Sequence, residues 1–206
     1  MIDPLLLLAF IPAALALNLT PGADMLFCLA QGARGGPRPA LAASAGISAG
    51  AFVHVTLAGL GLGALIATVP WMFEAIRWAG VAYLLWLAWR TLRSPLTAAD
   101  SPAVRPARAF RDGLIVNLTN PKVILFILAF VPQFVSPSHP VLPQFLIFGA
   151  ILATGGFVIN GLVGVFSGSI GRRLAGDPRV ERVIRTVTAT VFGALALRLA
   201  LEGRKS

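Results

Sequence analysis

Charge is what this sequence has least of. Only 12% of its 206 residues are Asp, Glu, Lys or Arg, against about 25% in a soluble globular chain. The length suits one ordinary domain, but hydrophobic residues at 57% and a mean hydropathy of +0.82 exclude a soluble one. Cysteine is nearly absent. Cys28 stands alone, which rules out an intramolecular disulfide and a dithiol redox relay. Histidine is limited to His54 and His139, too few beside one cysteine for a soft-metal ligand set. No H-E-x-x-H motif or nucleophile–base pair stands in the sequence. No metal, no cofactor and no catalytic nucleophile are therefore expected. The opening Met1-Ile2-Asp3 lacks the Lys or Arg of a signal peptide. Ala14-Leu15-Ala16 resembles a cleavage site, but the apolar pattern continues past it, so the segment is expected to be retained.

What the chain does have is long apolar runs, several close to the roughly 20 residues that cross a bilayer. The first span is expected over about 4–31, broken at Thr20-Pro21-Gly22. The second, about 40–69, is dense in glycine, and its Gly46 and Gly50 form a GxxxG that lets helix backbones approach closely. The third, about 72–89, has Trp71, Trp86 and Trp89 at its ends, as an aromatic belt would. Residues 93–111 read as a polar linker with Pro95, Pro102 and Pro106. The fourth span follows over about 112–135, and a turn holds Pro137, His139, Pro140 and Pro143. The fifth covers about 142–170 and is again rich in glycine. Asp177-Pro178 reads as the N-cap and first residue of a sixth helix. Between Arg185 and Arg198 that helix has only 12 uncharged residues, so both arginines must snorkel for it to cross.

Three spans, a linker and three spans describe an internal duplication. An odd number of spans per half inserts the halves in opposite orientations. The expected fold is an all-α membrane protein of six transmembrane helices, built as two inverted three-helix repeats with broken first helices. The repeats cover 1–92 and 112–206, joined by a cytoplasmic linker over 93–111. Net charge is +9, but the arginines gather in the connections: Arg34 and Arg38, the stretch from Arg90 to Arg111, and the stretch from Arg172 to Arg185. That is the positive-inside pattern and not a nucleic-acid footprint. It places both termini outside. The glycine-rich faces suit a homodimer as readily as internal packing.

Two stretches organise the whole: Asn18-Leu19-Thr20-Pro21-Gly22 and its echo Asn117-Leu118-Thr119-Asn120-Pro121-Lys122. Proline removes a backbone donor and clashes with the preceding turn, so a helix breaks there. In hydrocarbon, freed backbone is tolerated only where protein or a water-filled cavity covers it. Paired breaks at corresponding places in two halves point to a transporter's substrate site. Few ionisable groups lie deep in the spans, and such groups mark pathways or proton relays. They are Asp24, His54 and Lys122. Asp24 follows the first break, where its bland role would be to cap the resumed helix. Lys122 follows Pro121, and its bland role would be to snorkel to the headgroups. His54 and Asn160 have hydrogen-bonded packing as their bland role. Asn18, Thr20, Asn117 and Asn120 either re-satisfy freed backbone or line the site with Pro21, Gly22 and Pro121.

The chain resembles the lysine-exporter (LysE/RhtB) family of bacterial amino-acid exporters. The resemblance rests on Asn18 to Asp24, on Gly46 to Gly50, and on Asn117 to Lys122. The first stretch is similar to the family's Thr-Pro-Gly-Pro-Asp, differing at Ala23, and the second to its Asn-Pro-Lys. The separation, span number and linker position agree along essentially the whole chain. The resemblance implies export of amino acids or related small metabolites, driven by protons, from a multi-pass protein of the bacterial inner membrane with periplasmic termini.

An α-amino acid is a zwitterion and needs a partner for each charge. Half-helix N-termini favour a carboxylate, and half-helix C-termini with freed carbonyls favour an ammonium. Lys122 is the expected assistant for the first and Asp24 for the second. Asp24 is also the candidate proton carrier, since burial favours a protonated carboxyl and a neighbouring cation an ionised one. The rival readings are a metal-ion exporter on a related plan, a membrane enzyme or thiol carrier, and a structural or lipid-handling membrane protein. The scarcity of Cys and His weighs against the first two, and the charged residues at the breaks against the third.

Overall fold

Proline opens most of the described helices. Its fixed φ and missing N–H suit a first turn, where the donor would be unpaired anyway. The computed structural model describes residues 4–68, 105–136, 138–167 and 178–202, with part of 78–93. Within these, α1 is Pro4–Leu19, α2 Ala23–Gly35, α3 Pro37–Thr68, α4 Pro106–Leu118 and α5 Pro121–Ala129. A short 3₁₀ helix, Val131–Phe134, precedes α6 at Val141–Val165, and α7 runs over Pro178–Glu202. No strand occurs among the described residues. Within the stretch expected as a linker over 93–111, Pro106 starts α4 after Arg105 as its N-cap. Pro106 is a helix opener here, not a linker breaker.

Both expected breaks are present. The pair α1 and α2 bends by 55°, and the pair α4 and α5, extended to Phe134, bends by 54°. Pro37–Gly61 and Val141–Val165 are each long and apolar enough to cross a membrane, so the described residues hold two candidate spans, or four if each bent pair is one. The third expected span, about 72–89, lies largely outside the described residues. Helix α7 is unbroken over 25 residues, a rise of about 37 Å. Large apolar side chains face outward along several helices. Leu5, Leu8, Leu57, Leu60, Leu162 and Leu197 are each more than half exposed, a surface suited to lipid and costly in water.

Helix α3 packs along both α4 and α6, and α6 also holds α1 and α2. Glycine makes the closest of these crossings possible. A Cβ on Gly46 would fall 1.9 Å from the Phe110 carbonyl oxygen, and one on Gly113 2.4 Å from that of Ala43. Of the GxxxG of α3, Gly46 therefore lies directly on the backbone of α4 and Gly50 against the Asn117 side chain, where a Cβ would fall 2.8 Å from Oδ1. Where α2 crosses α6, a Cβ on Gly32 would meet the Gly164 carbonyl at 1.7 Å. Beyond the breaks, the core is aromatic. Phe10, Phe126, Phe130, Phe134 and Phe148 form a contiguous cluster, with Phe10–Phe148 centroids at 4.8 Å and Phe126–Phe130 at 4.9 Å.

Candidate functional site

The two breaks face each other in the interior. Asn120 caps α5, its side-chain oxygen accepting the Lys122 backbone N–H at 3.1 Å. That cap starts the helix so that the Lys122 side chain projects back across the first break. Its Nζ donates to the carbonyls of Leu17 at 3.1 Å and Thr20 at 2.9 Å. Leu17 is in the last turn of α1 and Thr20 directly follows it, where unpaired carbonyls carry the negative end of the helix dipole. Gly22 leaves room for this reach, since a Cβ there would lie 3.3 Å from Nζ. Lys122 is 9% exposed and satisfies the first break from the second half of the chain.

Asp24 is also buried, at 6% exposure, in the first turn of α2. It makes no capping bond to its own helix, which starts at Gly22 without a side-chain cap. Its Oδ2 instead accepts from Asn117 Nδ2 at 2.9 Å, so a residue from α4 holds it. Its Oδ1 has no hydrogen-bond partner. His54 approaches from behind, Nε2 lying 3.3 Å from the Asn117 carbonyl oxygen. Asn18 Nδ2 donates to the Leu152 carbonyl at 3.1 Å. The hydroxyl of Thr20 turns back to the Ala16 carbonyl.

A small cavity of about 20 Å³ lies between these elements. Asn18, Thr20, Asp24, Ser48, Asn117, Lys122 and Asn160 line it together with apolar residues such as Leu17, Ala51 and Leu152. It has room for ordered water. The structure thus brings Asn18, Thr20, Asp24, Asn117, Lys122 and Asn160 to one cavity. Gly22 lies beneath Lys122. Asn120 and His54 lie outside the lining, as do Pro21 and Pro121, whose place is in the breaks themselves. Sequence reasoning missed Ser48, a lining residue whose hydroxyl has no partner. Its signal was the four-residue step from Ser44, which puts both hydroxyls on one face of α3. Among the described residues, no three His, Cys, Asp or Glu side chains come together to hold a metal ion.

A buried lysine, a buried aspartate and several side-chain amides thus meet where the two helices break. They offer no activated nucleophile. The family model described as LysE type translocator matches residues 15–203. The chain is similar to an uncharacterised membrane protein of Vibrio cholerae, 33% identical over 94% of this chain and 95% of that one. It is similar to the homoserine/homoserine lactone efflux protein of Salmonella typhimurium, 31% identical over 93% and 94% of the two chains. The leucine efflux protein of Klebsiella pneumoniae is 32% identical over 94% of this chain and 93% of its own. No solved structure matches the chain. With the family model spanning nearly its whole length and efflux proteins aligned end to end, this chain belongs to the LysE type translocators, as a multi-pass membrane transporter and not an enzyme.

Proposed function

We propose that this protein exports amino acids or closely related small metabolites across the bacterial inner membrane in exchange for protons. The observation that carries the reading is the meeting of the two breaks, with Lys122 on the carbonyls of Leu17 and Thr20 and Asn117 on Asp24. The names of the relatives from Salmonella and Klebsiella support the amino-acid class. The near-equal bends of 55° and 54° in the two broken pairs support two inverted repeats of three spans each. The arginine-rich connections favour cytoplasmic loops and periplasmic termini.

In this mechanism the substrate enters from the cytoplasm while Asp24 is ionised. Its ammonium pairs with Asp24 and its carboxylate with Lys122, which lets go of the α1 carbonyls to meet it. The phenylalanine cluster around Phe10, Phe130 and Phe148 is the outer gate, because α1 enters and α5 leaves on the periplasmic side. Opening that gate releases the substrate outward, and a periplasmic proton takes its place on Asp24. The protonated form returns and loses its proton to the cytoplasm. One zwitterion leaves and one proton enters, so about 2.3 kcal/mol per 100 mV of membrane potential assists each cycle.

Asp24→Asn tests the reading. The amide keeps the shape and can accept the Asn117 bond, but it cannot titrate. In proteoliposomes the variant should lose proton-driven accumulation and keep downhill exchange. Accumulation equal to wild type under an imposed pH gradient would move the carrier elsewhere, with His54 next in line. A folded, correctly oriented wild-type protein that moves no amino acid would end the exporter reading.

A further inference from the structure

A groove runs along the outer seam between α1 and α6, on the far side of Asn18 from the cavity. Ile11, Leu15, Ala150, Ile151 and Thr154 line it together with Asn18, and its volume is about 440 Å³. That is the size of a small-molecule site, about 300–1,000 Å³. Cavity and groove occupy adjoining faces of the same two helices. On α1, Leu17 lines the cavity and Leu15 the groove; on α6, Leu152 and Gly156 line the cavity, and Ile151 and Gly155 the groove. Asn18 belongs to both linings and is the wall between them. Its bond from Nδ2 to the Leu152 carbonyl, at 3.1 Å, holds that wall shut. Opposite it, α6 presents backbone alone. The atom nearest a Cβ on Gly155 would be Asn18 Nδ2 at 2.9 Å, and on Gly156 Asn18 Oδ1 at 3.1 Å. When the Asn18 side chain turns aside, no other side chain stands between the two spaces at these glycines.

We infer that the groove takes the apolar side chain of the substrate, with Asn18 as the door between the groove and the site at the breaks. The inference rests on the exporter reading and narrows its substrates to amino acids with an aliphatic side chain. Leu17, the residue before Asn18, gives its carbonyl to Lys122. A substrate with its charged ends at Lys122 and Asp24 therefore has its side chain beside Asn18. The walls of the groove are aliphatic, and no charged residue lines it. A charged or amide side chain would lose its water there without gaining a partner. Each methylene placed in such a space is worth about tenfold or more in discrimination.

The test is counterflow of glycine, alanine, norvaline, leucine and glutamine in proteoliposomes. Wild type should prefer leucine to alanine by about tenfold in kcat/KM. Thr154→Phe fills the groove from an exposed position and should cut the leucine-to-alanine ratio at least tenfold. Asn18→Ser shortens the wall and should raise that ratio. General damage to the fold would not move the ratio in opposite directions. A wild-type ratio in Thr154→Phe, or no rise in Asn18→Ser, would leave the groove to lipid acyl chains and overturn the inference. If Thr154→Phe does not fold, Ala150→Phe, also at an exposed position, takes its place. Alanine transport without leucine transport in wild type removes the groove and leaves export. If no amino acid is carried, unfolding midpoints in detergent with leucine or alanine separate the two readings. A larger rise with leucine, lost in Thr154→Phe, keeps the groove and ends export; equal midpoints end both.

Discussion

Lys122 ties the two halves together with two charge-assisted bonds to the end of α1. Each such bond contributes about 1.5–3 kcal/mol. Lys122→Met should therefore lower the unfolding midpoint in detergent markedly and abolish transport. Lys122→Arg keeps the charge but not the compact ammonium, so it should recover more stability than transport. Gly22 allows a subtler experiment. Its φ of −169° is extended backbone open to any residue, so a substitution there acts only through the space it fills. The methyl of Gly22→Ala would press on Lys122 Nζ at 3.3 Å. Transport should fall several-fold with the unfolding midpoint within a degree or two of wild type. An unchanged transport rate would mean that the position of the ammonium over α1 does not matter.

The helices depend on glycine where they cross and on proline where they stop. Gly46 and Gly113 hold α3 and α4 in backbone contact, and that crossing positions Asn117 against Asp24. Gly46→Leu would force the pair apart, an overpacking typically worth 1–3 kcal/mol or more. The expected result is a lower midpoint together with lost transport. Gly61 is the control, because nothing lies within 4 Å of its added Cβ, and Gly61→Ala should leave both unchanged. The break at Pro21 shows why Ala23 can stand where the family usually has a second proline. Position 23 begins α2, and a first helical residue tolerates alanine as well as proline.

For the whole molecule, the proposed exchange against protons gives a definite sign. With protons entering as substrate leaves, lowering the pH on the periplasmic side should speed export from loaded vesicles, and raising it should slow export. Asp24→Asn should flatten that dependence. A reporter fused after Ser206 should be active only if it lies in the periplasm; a cytoplasmic signal would put α7 on the membrane surface and leave five spans.

The sequence alone determined the class of the protein, its breaks and its family. Sparse charge and long apolar runs are bulk properties that no packing can reverse. A proline's effect on a helix is local, so Pro21 and Pro121 marked the ends of α1 and α4 wherever those helices travel. Asn120 as the cap of α5 was equally a local matter. Which polar atoms share a cavity was decided by tertiary structure. Asp24 follows a break and reads as a cap, yet it is held by Asn117 from α4; Lys122 reads as a snorkelling side chain, yet it lies on α1. Ser48 joins them although nothing beside it in the chain requires it. These pairings depend on how far each helix is rotated and how closely it crosses its neighbour. That is set by glycine contacts between residues far apart in the chain, such as Gly46 with Phe110 and Gly32 with Gly164, and one helix's sequence does not contain it.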